Sequence, residues 1–468
     1  MVQTTPTAGE IVFQGLVSEQ REFFNSGRTN DIDFRLEQLG VLKKAVYENR
    51  RHIVRSLKED LGKPTFEAYV AEVSHVMADI DHAAKRVSGW ARPRRVGSPS
   101  FLFPASSCVY PEPLGVVLII SPWNYPVDLA LTPLVGAIAA GNCAVIKPSE
   151  ITPSTSKTLA KIIGENFDPS YVTVVEGDAS TARALLNERF DFIMYTGGGW
   201  IGRSVMAAAA RNLTPVTLEL GGKSPCIVEP DIDLEHAARR ITWGKYFNAG
   251  QTCIAPDYLL VNSAIKDKLL EAIRRQIHSF YGDDPSKSED YARIVSDRHF
   301  ERVSALLSMG NIVVGGDSDR SSRYVGPTVI DGVSPDDAIM QEEIFGPVLP
   351  VIEYGELDEA ISFANSRPKP LALYFFSRDK AKQDRVLSGT TSGGCCFNDV
   401  MLHFSNNRLP FGGVGESGFG KYHGKYTFDM FSNMKAVVRK GFSLDVFIRY
   451  PPYRNAQKLA QRLLRFVT

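Results

Sequence analysis

Cysteine is scarce in this sequence: six in 468 residues, with no CxxC pair, and none of the eight histidines stands at zinc-ligand spacing from them. That excludes a disulfide scaffold and gives no reason to expect a bound metal, so a reducing, cytoplasmic setting is the expectation. Net charge is missing too. The 53 basic and 53 acidic side chains cancel, which leaves no basic stripe for nucleic acid phosphates; no nucleic acid partner is expected. There is no internal repeat and no low-complexity tract. The opening MVQTTPTAGEIVF has no basic region followed by an apolar core, and a signal peptide is not expected. Only Leu129 to Ile146 is long and uncharged enough to raise a membrane span, and Gly141-Asn142 breaks it into a buried helix and a buried strand.

What remains is ordinary globular material. Apolar residues make up 44% and charged residues 23%, and the length suits roughly two to four domains, each with its own core. Arg35 to Leu61 carries apolar residues at helical spacing and stops at Gly62-Lys63-Pro64. Residues 91–115 hold Pro93, Pro99, Pro104, Pro111 and Pro113 among aromatics, which predicts an extended arm. Beyond it, short β-branched runs at Gly115–Ile120, Ala144–Ile146, Tyr171–Val175 and Asp191–Tyr195 alternate with helices at Ser154–Phe167 and Ala179–Asn187. A second alternating series contains runs at Cys226–Val228, Tyr258–Val261, Ile312–Val314 and Val348–Ile352. Two doubly wound α/β lobes with parallel sheets follow, with a ligand crevice expected between them.

Two features carry chemistry. Gly197, Gly199 and Gly202 fit GxGxxG between a strand and the helix-like Arg203–Arg211; such a turn lets backbone N–H groups approach a pyrophosphate. An acidic residue about twenty positions further on would hold a ribose, and Glu219 nearly fits. Cys253 follows small and polar residues in Asn248-Ala249-Gly250-Gln251-Thr252, so it reads as a partly exposed nucleophile, with an inert buried thiol as the alternative. Cys143 and Cys226 lie in apolar runs and read as core. Cys108 sits in the proline-rich arm, and the vicinal Cys395-Cys396 reads as loop packing.

Six segments in order resemble the aldehyde dehydrogenase superfamily: Pro122-Trp123-Asn124-Tyr125-Pro126, Lys147-Pro148-Ser149-Glu150, Leu218-Glu219-Leu220-Gly221-Gly222-Lys223, Gly250-Gln251-Thr252-Cys253, Glu343-Ile344-Phe345-Gly346-Pro347 and Pro410-Phe411-Gly412-Gly413. GQTCIAPDY from Gly250 and YHGKYTF from Tyr422 are similar to its class 3 and fatty aldehyde branch. The resemblance spans nearly the whole chain. It implies an aldehyde dehydrogenase-like fold: a Rossmann-type cofactor domain (1–97 and 113–219), a catalytic domain (220–420), an oligomerisation arm (98–112 and 421–445) and a basic C-terminal tail (446–468).

It also implies a reaction, the NAD(P)-dependent oxidation of an aldehyde to a carboxylic acid without a metal. Cys253 would be the nucleophile, the Asn124 amide and the Cys253 N–H the oxyanion donors, and Glu219 the base that activates water. The base assignment displaces the ribose reading of Glu219. The dinucleotide (NAD, with NADP possible) would be held by Trp123, Lys147, Glu150, Gly197, Gly198, Gly199, Gly202, Leu220, Glu343 and Phe345. The family usually carries a polar side chain where Gly198 stands, and Trp200 adds bulk beside it. Glu150 would repel a 2′-phosphate and so favour NAD. Tyr125, Trp243 and Phe411 would line a pocket for medium- or long-chain, aromatic or polyene aldehydes. A CoA-acylating relative is the alternative, and Glu219 favours water over CoA. A cysteine hydrolase or a non-catalytic protein on this fold are the more distant ones.

The resemblance further implies a homodimer through the arm. Residues 454–468 show a basic amphipathic pattern, expected to dock on protein or to touch a membrane surface. From Arg439 onward seven basic residues face a single acidic one, Asp445, so overall neutrality conceals a basic tail.

Overall fold

A computed structural model describes residues 13–99, 102–445, 449–453 and 457. The amphipathic pattern expected over 454–468 lies outside the described residues, Gln457 apart.

The helix Ile32–Leu61 begins at an Asp31 side-chain cap and ends on Gly62, whose φ of 59° places it in the left-handed region, as the Gly-Lys-Pro stop predicted. The first sheet has the strand order Gly418–Phe419, Val216–Glu219, Phe192–Thr196, Val116–Ile120, Cys143–Lys147 and Val172–Val174. Five of these strands run parallel; Gly418–Phe419 is antiparallel and returns from late in the chain. Val116–Ile120 and Cys143–Lys147 are buried at every position, which explains their continuous apolar runs: a parallel sheet covered on both faces has no polar side to show. Asp128–Ala140 is a helix buried along its whole length, and with the strand Cys143–Lys147 it accounts for the uncharged run at 129–146.

The second sheet has seven strands in the order Asn311–Val314, Thr328–Asp331, Val348–Tyr354, Tyr258–Asn262, Pro225–Val228, Ala372–Phe376 and Gly394–Phe397. All pairs are parallel except the first. Cys395 and Cys396 lie on its edge strand Gly394–Phe397 and not in a loop, a correction to the sequence reading. Glycines and small residues flank them, which hid a strand that exists because Ala372–Phe376 offers it a partner ladder. Cys143 and Cys226 are fully buried, as expected.

A third, antiparallel sheet joins Arg94–Val96, Ala105–Pro113 and Ser432–Lys440. The proline-rich arm and the chain after Tyr426 thus meet in one ribbon. Among the described residues, no helix is long and apolar enough to cross a membrane.

Candidate active site

The expected site residues arrive at one place because of where the strands end. In an open parallel sheet, ligands bind outside the carboxyl ends of the strands. Here Val116–Ile120 leads into Trp123, Asn124 and Tyr125; Cys143–Lys147 ends on Lys147; Phe192–Thr196 leads into Gly197; and Val216–Glu219 ends on Glu219. From the other sheet come the loops that precede its strands: Cys253 ahead of Tyr258–Asn262, and Glu343 with Phe345 ahead of Val348–Tyr354. These residues, with Glu150, Gly198, Leu220, Trp243 and Phe411, line a single cavity of about 980 Å³. Gly199 and Gly202 do not line it. The helix starts at Gly199, four residues earlier than the sequence reading placed it, so the glycine pattern spans the first helical turn. The Gly202 Cα instead packs close to Leu220, where a Cβ would come within 2.8 Å of Cδ2.

The loop before Cys253 is strained. Asn248, Ala249 and Gly250 hold φ of 54°, 51° and 73°, a left-handed run that costs about 1–3 kcal/mol at each residue other than glycine. It is held by buried polar groups. The Asn248 N–H donates to Glu67 Oε2 at 2.9 Å, and its side-chain amide donates to the carbonyls of Asn124 and Gln251 at 3.0 and 3.2 Å. The Gln251 amide donates to Asn248 and Arg293 and accepts from the Val295 N–H. Gly250 is pressed on Gly346, whose oxygen would lie 2.3 Å from a Cβ.

Cys253 is half-buried and lines the cavity, a partly exposed position of the kind its neighbours in sequence suggested. Enclosure, then the nearby Glu343 and Glu219, push its thiol up well beyond the ordinary range, while the backbone N–H groups of Cys253 and Ile254 act in the opposite sense. Asn124 is pinned beside it, its side-chain amide donating to the Gln251 carbonyl at 3.1 Å. Tyr125 reaches the Thr252 hydroxyl at 2.6 Å.

Glu219 is 3% exposed, and neither carboxylate oxygen has a hydrogen-bond partner among the described residues. Burial raises its pKa well above the carboxylate range, against the pull of Lys421. The Lys421 ammonium is itself engaged by three carbonyls, those of Gly393, Gly412 and Gly413. Backbone contacts fix Glu219 on both sides: the Gly197 N–H donates to its carbonyl at 3.0 Å, and it pairs with Gly418 across the sheet edge. Glu343 is enclosed and raised to about 8, by burial first and then by Asp257; it lies over Gly221, where a Cβ would meet its carboxylate at 1.8 Å.

The arrangement also suits a dinucleotide. The helix N-terminus at Gly198 has no side-chain cap, so its N–H groups are free for an anion. Lys147 is buried and pairs with half-exposed Glu150 at 2.9 Å. Trp123 and Phe345 meet edge to face at 5.2 Å, making an aromatic corner near Cys253. Tyr125, Trp243 and Phe411 line the same cavity with Leu129, Phe247 and Phe404, an apolar wall.

Sequence reasoning missed the support beneath Asn124. Lys63, read there as part of a helix stop, is 0% exposed and pairs with Glu72 at 2.5 Å while donating to the Asn124 carbonyl at 2.8 Å. Glu72 in turn accepts from the Val127 and Asp128 N–H groups. A lysine after a glycine gives no signal of burial; only the fold shows it. Lys63→Met would leave Glu72 charged and alone, at a cost of about 3–5 kcal/mol. We expect a clear fall in Tm by calorimetry, and partial recovery in Lys63→Met/Glu72→Gln.

Comparison with known proteins follows the same line. The sequence pattern of the Aldehyde dehydrogenase family matches residues 2–437. The chain is 46% identical to 4,4'-diaponeurosporen-aldehyde dehydrogenase of Staphylococcus aureus, covering 94% of this chain and 96% of that one. It is 46% identical to the dimeric NADP-preferring aldehyde dehydrogenase of Rattus norvegicus, over 93% and 97%. Among solved structures, the substrate-bound state of Staphylococcus aureus AldH superposes with a TM-score of 0.95 at 44% identity, covering 97% of this chain and all of that one.

Proposed function

The chain belongs to the aldehyde dehydrogenase family, and we propose that Cys253, Glu219 and Asn124 carry its reaction. The protein is an aldehyde dehydrogenase that uses NAD or NADP. The observation that carries the residue assignment is the pairing of a cysteine with a buried carboxylate that has no hydrogen-bond partner among the described residues, both on one cavity.

The Cys253 thiolate attacks the aldehyde carbon and forms a C–S bond, and the carbonyl oxygen becomes an oxyanion. Asn124 uses one amide N–H on Gln251 and has a second for this oxygen; the Cys253 N–H is the other donor. Gln251, Asn248 and Lys63 hold these donors in place before substrate arrives, so little reorganisation is needed. The bound dinucleotide supplies the hydride acceptor, and Trp123, Lys147, Glu150, Gly197, Gly198, Leu220, Glu343 and Phe345 are the residues that would hold it. Collapse of the tetrahedral adduct leaves an acyl thioester on Cys253. Glu219 takes a proton from water, the hydroxide adds to the acyl carbon, and the C–S bond breaks to release the acid and the thiolate. A carboxylate without fixed partners, in an enclosed site, is a strong base once ionised. The same group would be idle if CoA resolved the thioester, which is why water is the favoured acceptor.

The aromatic wall of Tyr125, Trp243 and Phe411 favours apolar aldehydes, in line with the polyene aldehyde in the name of the Staphylococcus aureus relative. Glu150 leans the cofactor choice towards NAD. The test is a series of straight-chain aldehydes assayed with each dinucleotide. Each added methylene buries about 0.8 kcal/mol of apolar surface, so kcat/KM should climb roughly threefold to fourfold per carbon until the wall is covered, and be higher with NAD. A flat or falling series would remove the apolar substrate class.

A further inference from the structure

The turn beside the cavity has an odd pair of residues. Gly198 has φ of −71° and ψ of 146°, a conformation open to any side chain, and a Cβ there would meet nothing within 4 Å. Neither the backbone nor the packing calls for glycine. Two residues on, Trp200 is 79% exposed. Trp90, Trp123 and Trp243 pack on the core, and Trp200 does not. Yet it lines the same cavity as Lys147 and Glu150, and as Ala182 and Arg183 of the helix Ala179–Asn187. An indole left in water forgoes the burial that normally repays so large an apolar side chain. Folding therefore gives no reason for Trp200, and the cavity does.

We propose that Trp200 holds the dinucleotide by stacking, its indole face supplying the binding that a polar side chain at position 198 would give through a hydrogen bond. The inference rests on the reading that the turn at 197–202 receives the dinucleotide. A flat π-face grips a base or the edge of a sugar without reading a 2′-phosphate, so the contact serves NAD and NADP alike. Discrimination is left to Glu150. The uncapped helix N-terminus stays free for the pyrophosphate, because Trp200 makes its contact through its side chain.

The test is direct binding of NADH and NADPH, by calorimetry and by energy transfer from tryptophan to the reduced nicotinamide. Trp200→Ala should raise both dissociation constants by roughly 5-fold to 100-fold, the range for loss of one base–aromatic stack. Trp200→Phe should keep most of the affinity. Gly198→Ser in the Trp200→Ala background should recover part of the loss, since the open space at 198 accepts a hydroxyl. Both positions are on the surface, so the fold is not at stake. Gly198→Asp separates this inference from the reading beneath it, because a negative charge at the turn must weaken binding if the pyrophosphate sits there. If Gly198→Asp weakens binding and Trp200→Ala does not, the stacking role is wrong and the site assignment stands. If neither changes binding, the turn is not the dinucleotide site and both fall. Loss in Trp200→Ala without recovery by Gly198→Ser overturns the exchange between the two positions.

Discussion

Replacing Cys253 by alanine is expected to lower aldehyde oxidation by at least about 10⁴-fold, the scale seen when a catalytic nucleophile is removed, while NADH still binds. The change deletes one sulfur atom from a half-buried position and leaves untouched the hydrogen bonds donated by the Asn248, Gln251 and Asn124 side chains that hold the loop. The oxyanion donors therefore remain, but no covalent adduct can form. Two measurements check it: steady-state NADH production, and NADH affinity by calorimetry. Activity near that of the wild type would mean that the reaction does not pass through Cys253.

Glu219→Gln should separate the two halves of the reaction. Glutamine keeps the volume and removes the base. Acylation and hydride transfer proceed once, so a rapid-mixing trace should show a burst of about one NADH per site, followed by turnover slowed roughly 10²–10⁴-fold. The pH profile adds a second reading. Burial raises the Glu219 pKa well above the carboxylate range, so its ionised, basic form is gained as the pH is raised. Below that raised pKa the ionised fraction grows about tenfold per pH unit, and steady-state turnover should rise with pH. In Glu219→Gln that contribution to the slow phase disappears. The burst rate should still rise with pH, because the Cys253 thiol is also raised and its thiolate is the attacking form. A variant with undiminished turnover and the wild-type profile would show that another group activates the water.

The resemblance led to Cys253, Glu219 and Asn124, and the fold brings them to one cavity, but their surroundings were legible to different degrees. Spacing offered Glu219 as a ribose ligand, and the resemblance offered it as a base. Its place at the end of Val216–Glu219, with both oxygens unpartnered among the described residues, supports the proposed role as base. Cys253 was expected in a polar setting because its sequence neighbours are small and polar. The tertiary structure turns those polar groups onto the backbone, where Gln251 and Asn248 hold the loop, and the enclosure that results raises the thiol. Lys63 was invisible as a site residue, since no local pattern distinguishes a buried lysine from a surface one.

Alternation of apolar runs with helical segments was enough to determine the two parallel sheets and the buried character of 129–146, because a strand covered on both faces must be apolar throughout. The ordered motifs, through their resemblance to a family, were enough to suggest a cysteine-based oxidation. Only the tertiary structure decided which strand ends face each other, what the polar side chains are bonded to, and how far burial shifts each titrating group. Those are properties of contacts between residues far apart in the chain, such as Lys63 with Asn124 and Asn124 with Gln251, and they arise only once the chain is folded.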